Sequence, residues 1–197
     1  TVDRVKELSE KWFGPIPAGP EIQRDLPTEP QQNAQRVIEV DENVPVDALY
    51  MTFHMDGRMG EKYHATDLLS DILGRGKSSR LYSELLDGQR IFNSISAHVT
   101  GSIDPGLFVI EGKLNQGRSM EEAENAIWQL IEDFKKSELT EVEVRKVKNK
   151  AESTLVFTQM ELLNRAMALA FGEMLGDPES VNHEVDKIRA VTPEAVL

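Results

Sequence analysis

Cysteine is missing from the chain, which excludes disulfides and thiolate metal sites and leaves the redox compartment open. Long apolar runs are missing as well, and no stretch approaches the roughly 18 residues that mark a membrane-spanning helix. Positive charge is scarce: 22 Lys and Arg stand against 34 Asp and Glu, for a formal net charge of −12. Surfaces that bind nucleic acid cluster cations around phosphates, so no nucleic-acid partner is expected. The densest basic run, Arg145, Lys146, Lys148 and Lys150, is interleaved with Glu141, Glu143 and Glu152 and reads as a solvated helical face.

The four histidines, His54, His64, His98 and His183, contain no pair at helical metal-ligand spacing. His183 and Glu184 begin a His-Glu-x-x-His zinc motif, but Lys187 stands where its second histidine belongs, and the inverted His-x-x-Glu-His form fails at every histidine. Ser78 and Ser79 lack the Gly-x-Ser-x-Gly elbow of a serine nucleophile. Asp67, Asp71 and Glu84 read as helix-surface carboxylates. The residues by themselves show no active site.

The chain is nonetheless built to fold. Its 197 residues, 40% of them hydrophobic and 28% charged, suffice for one or two domains with a core. It starts at Thr1 with no signal-like segment and reads as a piece of something longer. Residues 2–13 carry helical periodicity that stops at Gly14 and Pro15, and five prolines between Pro15 and Pro30 mark a linker. Two strands are expected at Arg36–Val40 and Val46–Met55, and helices at His64–Leu73 and Ser78–Leu86. Alternation over Ile91–Thr100 and Leu107–Leu114, around Asp104-Pro105-Gly106, predicts a hairpin. Ser119 with Glu122 and Thr140 with Glu143 are capping boxes, the first opening a helix to about Lys136 and the second a long helical pattern to Gly176. A further helix spans Val181–Ala190, and Thr192-Pro193-Glu194 opens another. The predicted class is α+β, two layers, with a mostly antiparallel or mixed sheet and helices packed on one face.

Between the two short helices lies Gly74-Arg75-Gly76-Lys77-Ser78, whose last three residues match the tail of a phosphate-binding P-loop. The loop's first glycine is replaced by Asp71, and the preceding segment is helical rather than a strand, so a glycine turn between helices, with Ser78 or Ser79 capping the second, is the better reading. A nucleotide-dependent enzyme built on this turn is the outlying alternative.

The stretch "ILGRGKSSRLYSELL", followed by "RIFNSISAHV" and "GLFVIEGKL", resembles the C-terminal, non-catalytic domain of the M16 metallopeptidases, the family of pitrilysin, insulin-degrading enzyme and the mitochondrial processing peptidase. The specific part of the match is the turn with Gly74, Gly76, Ser79, Arg80 and Tyr82. "VKELSEKWFGPIPAGP" is similar to the end of the preceding M16 domain and "VTPEAV" to the start of the family's last helix. The resemblance implies a LuxS/MPP-like metallohydrolase fold, with residues 1–14 ending the preceding domain, 15–34 a Pro-rich linker, and 35–197 the inactive domain, truncated at its last helix.

In that family catalysis belongs to a different domain, whose His-x-x-Glu-His binds zinc. The resemblance therefore implies a non-catalytic fragment without a cofactor of its own, and a parent that is an M16 zinc metalloendopeptidase. Its partners would be a catalytic M16 domain, in the same chain or another subunit, and a peptide substrate enclosed between them. A basic peptide would suit the acidic chain. Many second domains of the family carry an Arg and, seven residues later, a Tyr that hold substrate across the chamber. Aligned on Ser94–Ala97, those positions here are Leu86, which has no donor, and Asn93, which can still bond a peptide carbonyl. Asn93, Arg90 and Phe92 are thus the candidate wall residues. The alternative is a purely structural scaffold of the same fold.

Overall fold

The computed structural model describes residues 1–20, 27, 30 and 32–197, so much of the expected proline-rich linker lies outside the described residues. The chain divides into two compact units, Thr1–Glu42 and Asn43–Leu197. In the first, helix α1 (Val2–Phe13) is capped by the Thr1 hydroxyl, which accepts from the Arg4 amide, and buries no residue. Val2, Val5, Trp12 and Phe13 form an apolar stripe open to solvent. The strand expected at Arg36–Val40 does not form: Val37, Ile38 and Val40 are exposed and no described strand pairs with them. Alternating apolar residues make a strand only where a neighbouring ladder takes up the backbone hydrogen bonds.

The second unit is built on a three-stranded antiparallel sheet in the order β1 (Ala48–Met55), β3 (Gly106–Leu114), β2 (Phe92–Val99). Met51 pairs with Ile110 and Phe53 with Phe108 in one ladder, and Ile110 with Ala97 in the other. All these side chains point to one face, which the helices cover. Helix α2 (Tyr63–Gly74) contributes Leu68, Ile72 and Leu73, and α3 (Met120–Lys136) contributes Ala123, Ile127 and Leu130. The Trp128 ring meets Phe53 edge-on at 5.8 Å. Fully buried side chains such as Leu68, Leu85, Ile110 and Ile127 contribute about 1.5–3 kcal/mol each by leaving water. The fold is therefore α+β with helices on one face of an antiparallel sheet.

Two glycines fix how closely these layers approach. A Cβ on Gly74 would lie 2.0 Å from the Ala97 amide nitrogen, so the last turn of α2 touches the β2 backbone. On Gly112 of β3 a Cβ would lie 2.6 Å from the Phe92 ring, which occupies the vacant space.

Helix α4 (Glu141–Gln159) starts on a complete capping box, with Thr140 and Glu143 each bonding the other's backbone amide. The Ser119 box is only half formed: Ser119 accepts from the Glu122 amide, while the Glu122 carboxylate takes Arg118 at 2.6 Å. The long helical pattern breaks at Met160 into α4 and α5 (Leu162–Met174), then α6 (Ser180–Ala190) and a final turn α7 (Pro193–Val196) follow. Helix α5 buries only Gly172, and Phe157, Met160, Leu163, Met167 and Met174 are all exposed.

Because its neighbour at Gly74 is backbone and cannot turn aside, Gly74→Ala is expected to lower stability by about 1–3 kcal/mol, the usual cost of overpacking. Urea unfolding checks this; an unchanged midpoint would mean that α2 and β2 are not held in contact.

Candidate functional site

After α2 the chain reverses at Gly76, whose φ of +91° is disfavoured for any residue with a Cβ. Ser79 does not cap the next helix by accepting an amide. Its hydroxyl donates back to the Gly76 carbonyl at 2.7 Å, which closes the turn and buries the side chain. Ser78 lies exposed and accepts from the Lys146 ammonium of α4. Arg80 reaches Glu143 at 2.7 Å and lies over the Phe134 ring, tying the turn to α3 and α4. Lys77 is exposed. The residues that gave the turn its recognisable pattern thus close the turn and anchor it.

The following helix widens into a π-helix from Tyr82 to Gly88, in which the Gln89 amide reaches back five residues to the Glu84 carbonyl at 2.8 Å. Leu81 and Leu85 are fully buried beneath it, and Leu86 packs partly buried against the same core. The chain then passes through Arg90, the one non-glycine residue with positive φ among the described residues, at +54°. Such a backbone persists only where its surroundings over-determine it. Here the Asn115 amide group donates to the Arg90 carbonyl at 2.9 Å and to the Phe92 carbonyl at 3.2 Å. The Asn115 backbone bonds Ile91 at 2.8 Å, and Arg118 donates to the Gln89 carbonyl at 2.8 Å.

One residue further on, the ladder slips. Phe92 pairs with Leu114 and Ser94 with Lys113, so Asn93 is the extra residue of a β-bulge. The bulge turns Phe92 and Ile95 to the same inner face; Phe92 is 1% exposed, and Asn93 is pushed outward. Asn93 donates to the Leu114 carbonyl at 3.4 Å. Of the candidate wall residues, Arg90 and Asn93 stand at the surface and Phe92 lies in the core beneath them. Beside this segment, a groove of about 290 Å³ opens between the π-helix and α3, with Glu84, Glu122 and Asp133 on its walls and Ile91 and Leu130 among its lining. Glu122 holds Arg118 and Asp133 accepts from Gln129.

A second polar cluster stitches α2 to α5 and α6. Arg58 lies between the Tyr63 and Phe171 rings, 5.5 and 5.9 Å from their centroids, with Glu184 3.7 Å away. Glu184 also lies 3.8 Å from His64 and 3.0 Å from Lys187. Burial pushes the His64 imidazole below its ordinary value, a shift that Glu184 opposes and Lys187 and Arg58 reinforce. Burial, followed by the charge of Asp71, pushes the half-buried Asp67 carboxyl up, against Arg58 and Arg75.

Zinc would need three or more such donors converging. His54 and His98 lie on the sheet, His64 on α2 and His183 exposed on α6, and among the described residues no three His, Asp or Glu side chains gather closely enough to hold a metal. The described donors do not fit zinc. Among the described residues no helix is long and apolar enough to cross a membrane.

The second unit is thus a two-layer α+β module whose β2 strand opens on a bulge. The family described as "Peptidase M16 inactive domain" matches residues 1–151, more than half of the chain, and the chain belongs to it. The zinc protease PqqE of Helicobacter pylori is 31% identical over 150 residues, which cover 74% of this chain and 33% of that protein. The chain thus spans about a third of the length of that curated relative. Among solved structures, a protease from Helicobacter pylori superposes with a TM-score of 0.91 at 23% identity, covering 100% of this chain and 48% of the other. The periplasmic protease PqqL from Escherichia coli superposes with 0.76 at 15% identity, covering 100% and 22%. At these identities the structures share the fold.

Because His64 has a folded-state pKa below its ordinary 6.5, its contribution is fully present above that value and is lost as pH falls through the folded one. Urea midpoints at about pH 7 and about pH 5 should therefore differ less in His64→Gln than in the parent chain; equal differences would contradict the shift. Asp67 has the opposite sign. Its folded pKa is raised above 3.8, so it favours the folded state only below that range and opposes it above. Asp67→Asn is expected to raise the melting temperature at neutral pH and to lose that gain in acid, as calorimetry at the two pH values would show.

Proposed function

We propose that residues 35–197 form one wall of a peptide-binding chamber, facing a catalytic M16 domain that carries His-x-x-Glu-His and its zinc elsewhere in the same polypeptide or in a partner subunit. Residues 1–14 then close the preceding domain, and 15–34 are the linker between the two. The observation that carries this reading is the entry to β2. Arg90 and Asn93 are held out by a left-handed residue and a bulge that four hydrogen bonds from Asn115 and Arg118 keep in place. Rigidity of that kind suits a group that must meet an extended peptide without reorganising.

In this arrangement Asn93 offers an amide to a substrate carbonyl and Arg90 a guanidinium to a carbonyl or carboxylate. Phe92, buried on Gly112, sets the height at which both stand. Gly74, Gly76, Ser79, Arg80 and Tyr82 fix the turn and π-helix that lead to them. The acidic groove alongside gives basic residues of a peptide somewhere to rest. The exposed stripes on α1 and α5 support a larger assembly, since apolar faces of that extent on a soluble domain usually meet another surface. A scaffold role without proteolysis is the second reading, favoured by Leu86 at a position where many second domains of the family carry arginine.

Replacing Arg90 and Asn93 by alanine in the full-length parent separates the two. The wall reading expects peptide cleavage to fall by roughly tenfold or more through loss of positioning contacts, with zinc content and melting temperature unchanged. Full retained activity would leave the chain as scaffold.

A further inference from the structure

An open groove of about 590 Å³ runs along α4 beside the end of α6, and its charge opposes that of the chain as a whole. It is lined by Arg145, Lys148, Asn149, Glu152, Ser153 and Arg189, three cations and one carboxylate, in a protein with 34 acidic and 22 basic side chains. We propose that this groove binds an extended acidic peptide segment through its carboxylates. The inference is independent of the chamber wall: it concerns another surface and needs no zinc.

Two contacts set the groove's shape. Lys148 donates to the Arg189 carbonyl at 2.8 Å, near the C-terminal end of α6, where the helix dipole favours a cation. Arg189 in turn grips Glu152 through Nε and Nη2, each donating to a different carboxylate oxygen. That fork neutralises the one carboxylate and holds α6 against α4, leaving Arg145 and Lys148 as excess positive charge. Lys148 is half-buried and has N–H groups to spare beyond the one it gives to Arg189. Arg145 makes no ion pair among the described residues.

The spacing selects a chain rather than a free ion. Arg145, Asn149 and Ser153 follow each other at intervals of four residues on one face of α4, so their side chains emerge about 6 Å apart. Alternate residues of an extended peptide repeat at roughly the same distance, about 6.6 Å. Arg145 can take a carboxylate bidentately, and the Asn149 amide and Ser153 hydroxyl, which make no side-chain bond among the described residues, can meet the next groups along.

The test uses the 197-residue chain and a fluorescein-labelled oligoglutamate peptide, read by anisotropy and by amide shifts in NMR. Saturable binding is expected at low salt, with shifts confined to α4 from Arg145 to Ser153 and to the end of α6. Arg145→Glu combined with Lys148→Glu should weaken it by roughly tenfold or more, whereas Lys136→Glu on α3 should not. The wild-type footprint stands even where the double variant unfolds. Absence of saturable binding, shifts centred elsewhere, or equal loss in the Lys136 variant would overturn the assignment. The same footprint from inorganic phosphate at equal concentration would also overturn it, by reducing the groove to a free-anion site.

Discussion

Everything at the candidate site hangs on a contact between two backbones. Gly74 has no side chain, so the end of α2 comes to rest on the Ala97 amide of β2, closer than any other residue allows. The chain leaves that contact with little room. It must reverse at once, which Gly76 does with a positive φ, and it must return to the near end of β2 within a few residues. The π-helix accomplishes the return while keeping Leu81 and Leu85 fully buried, and it delivers the chain into the strained residue Arg90 and the bulge at Asn93. A helix packed more loosely on the sheet would permit a longer loop and a relaxed strand entry, and the two polar side chains would then be free to wander.

The inner face shows the same economy. Phe92 fills the space that Gly112 vacates, so the residue beneath the surface pair is also a core residue. Strain at the surface and packing in the core are therefore coupled through one short segment, which Asn115 and Arg118 pin from the connection between β3 and α3. Around it the protein distributes charge unevenly. Carboxylates gather between the π-helix and α3, while cations gather between α4 and α6, and the overall net charge of −12 conceals both.

Local signals in the sequence carried over into structure wherever one interaction decided the outcome. The Thr140 and Glu143 capping box, the β2 and β3 hairpin and the proline that opens α7 all follow from neighbouring residues. Elements that depend on distant partners leave no such local signal. Arg36–Val40 has the alternation of a strand but lacks a ladder. Glu122 has the spacing of a capping partner, yet Arg118 offers it a charge. A π-helix leaves the same apolar spacing as an α-helix over so few residues, and the bulge brings Phe92 and Ile95 to one face, where strict alternation sets them on opposite ones. Recognition of the family came from the glycine turn; the residues of the turn themselves do structural work, and the surface pair stands several residues beyond it.

On the proposed reading, this inactive domain completes a protease by supplying the wall opposite the zinc. The most direct measurement is peptide cleavage by the parent's separately purified zinc domain, alone and with this chain added in trans. Negligible cleavage by the zinc domain alone and saturable restoration as the chain is added are the expected result. Equal cleavage with and without the chain would contradict it.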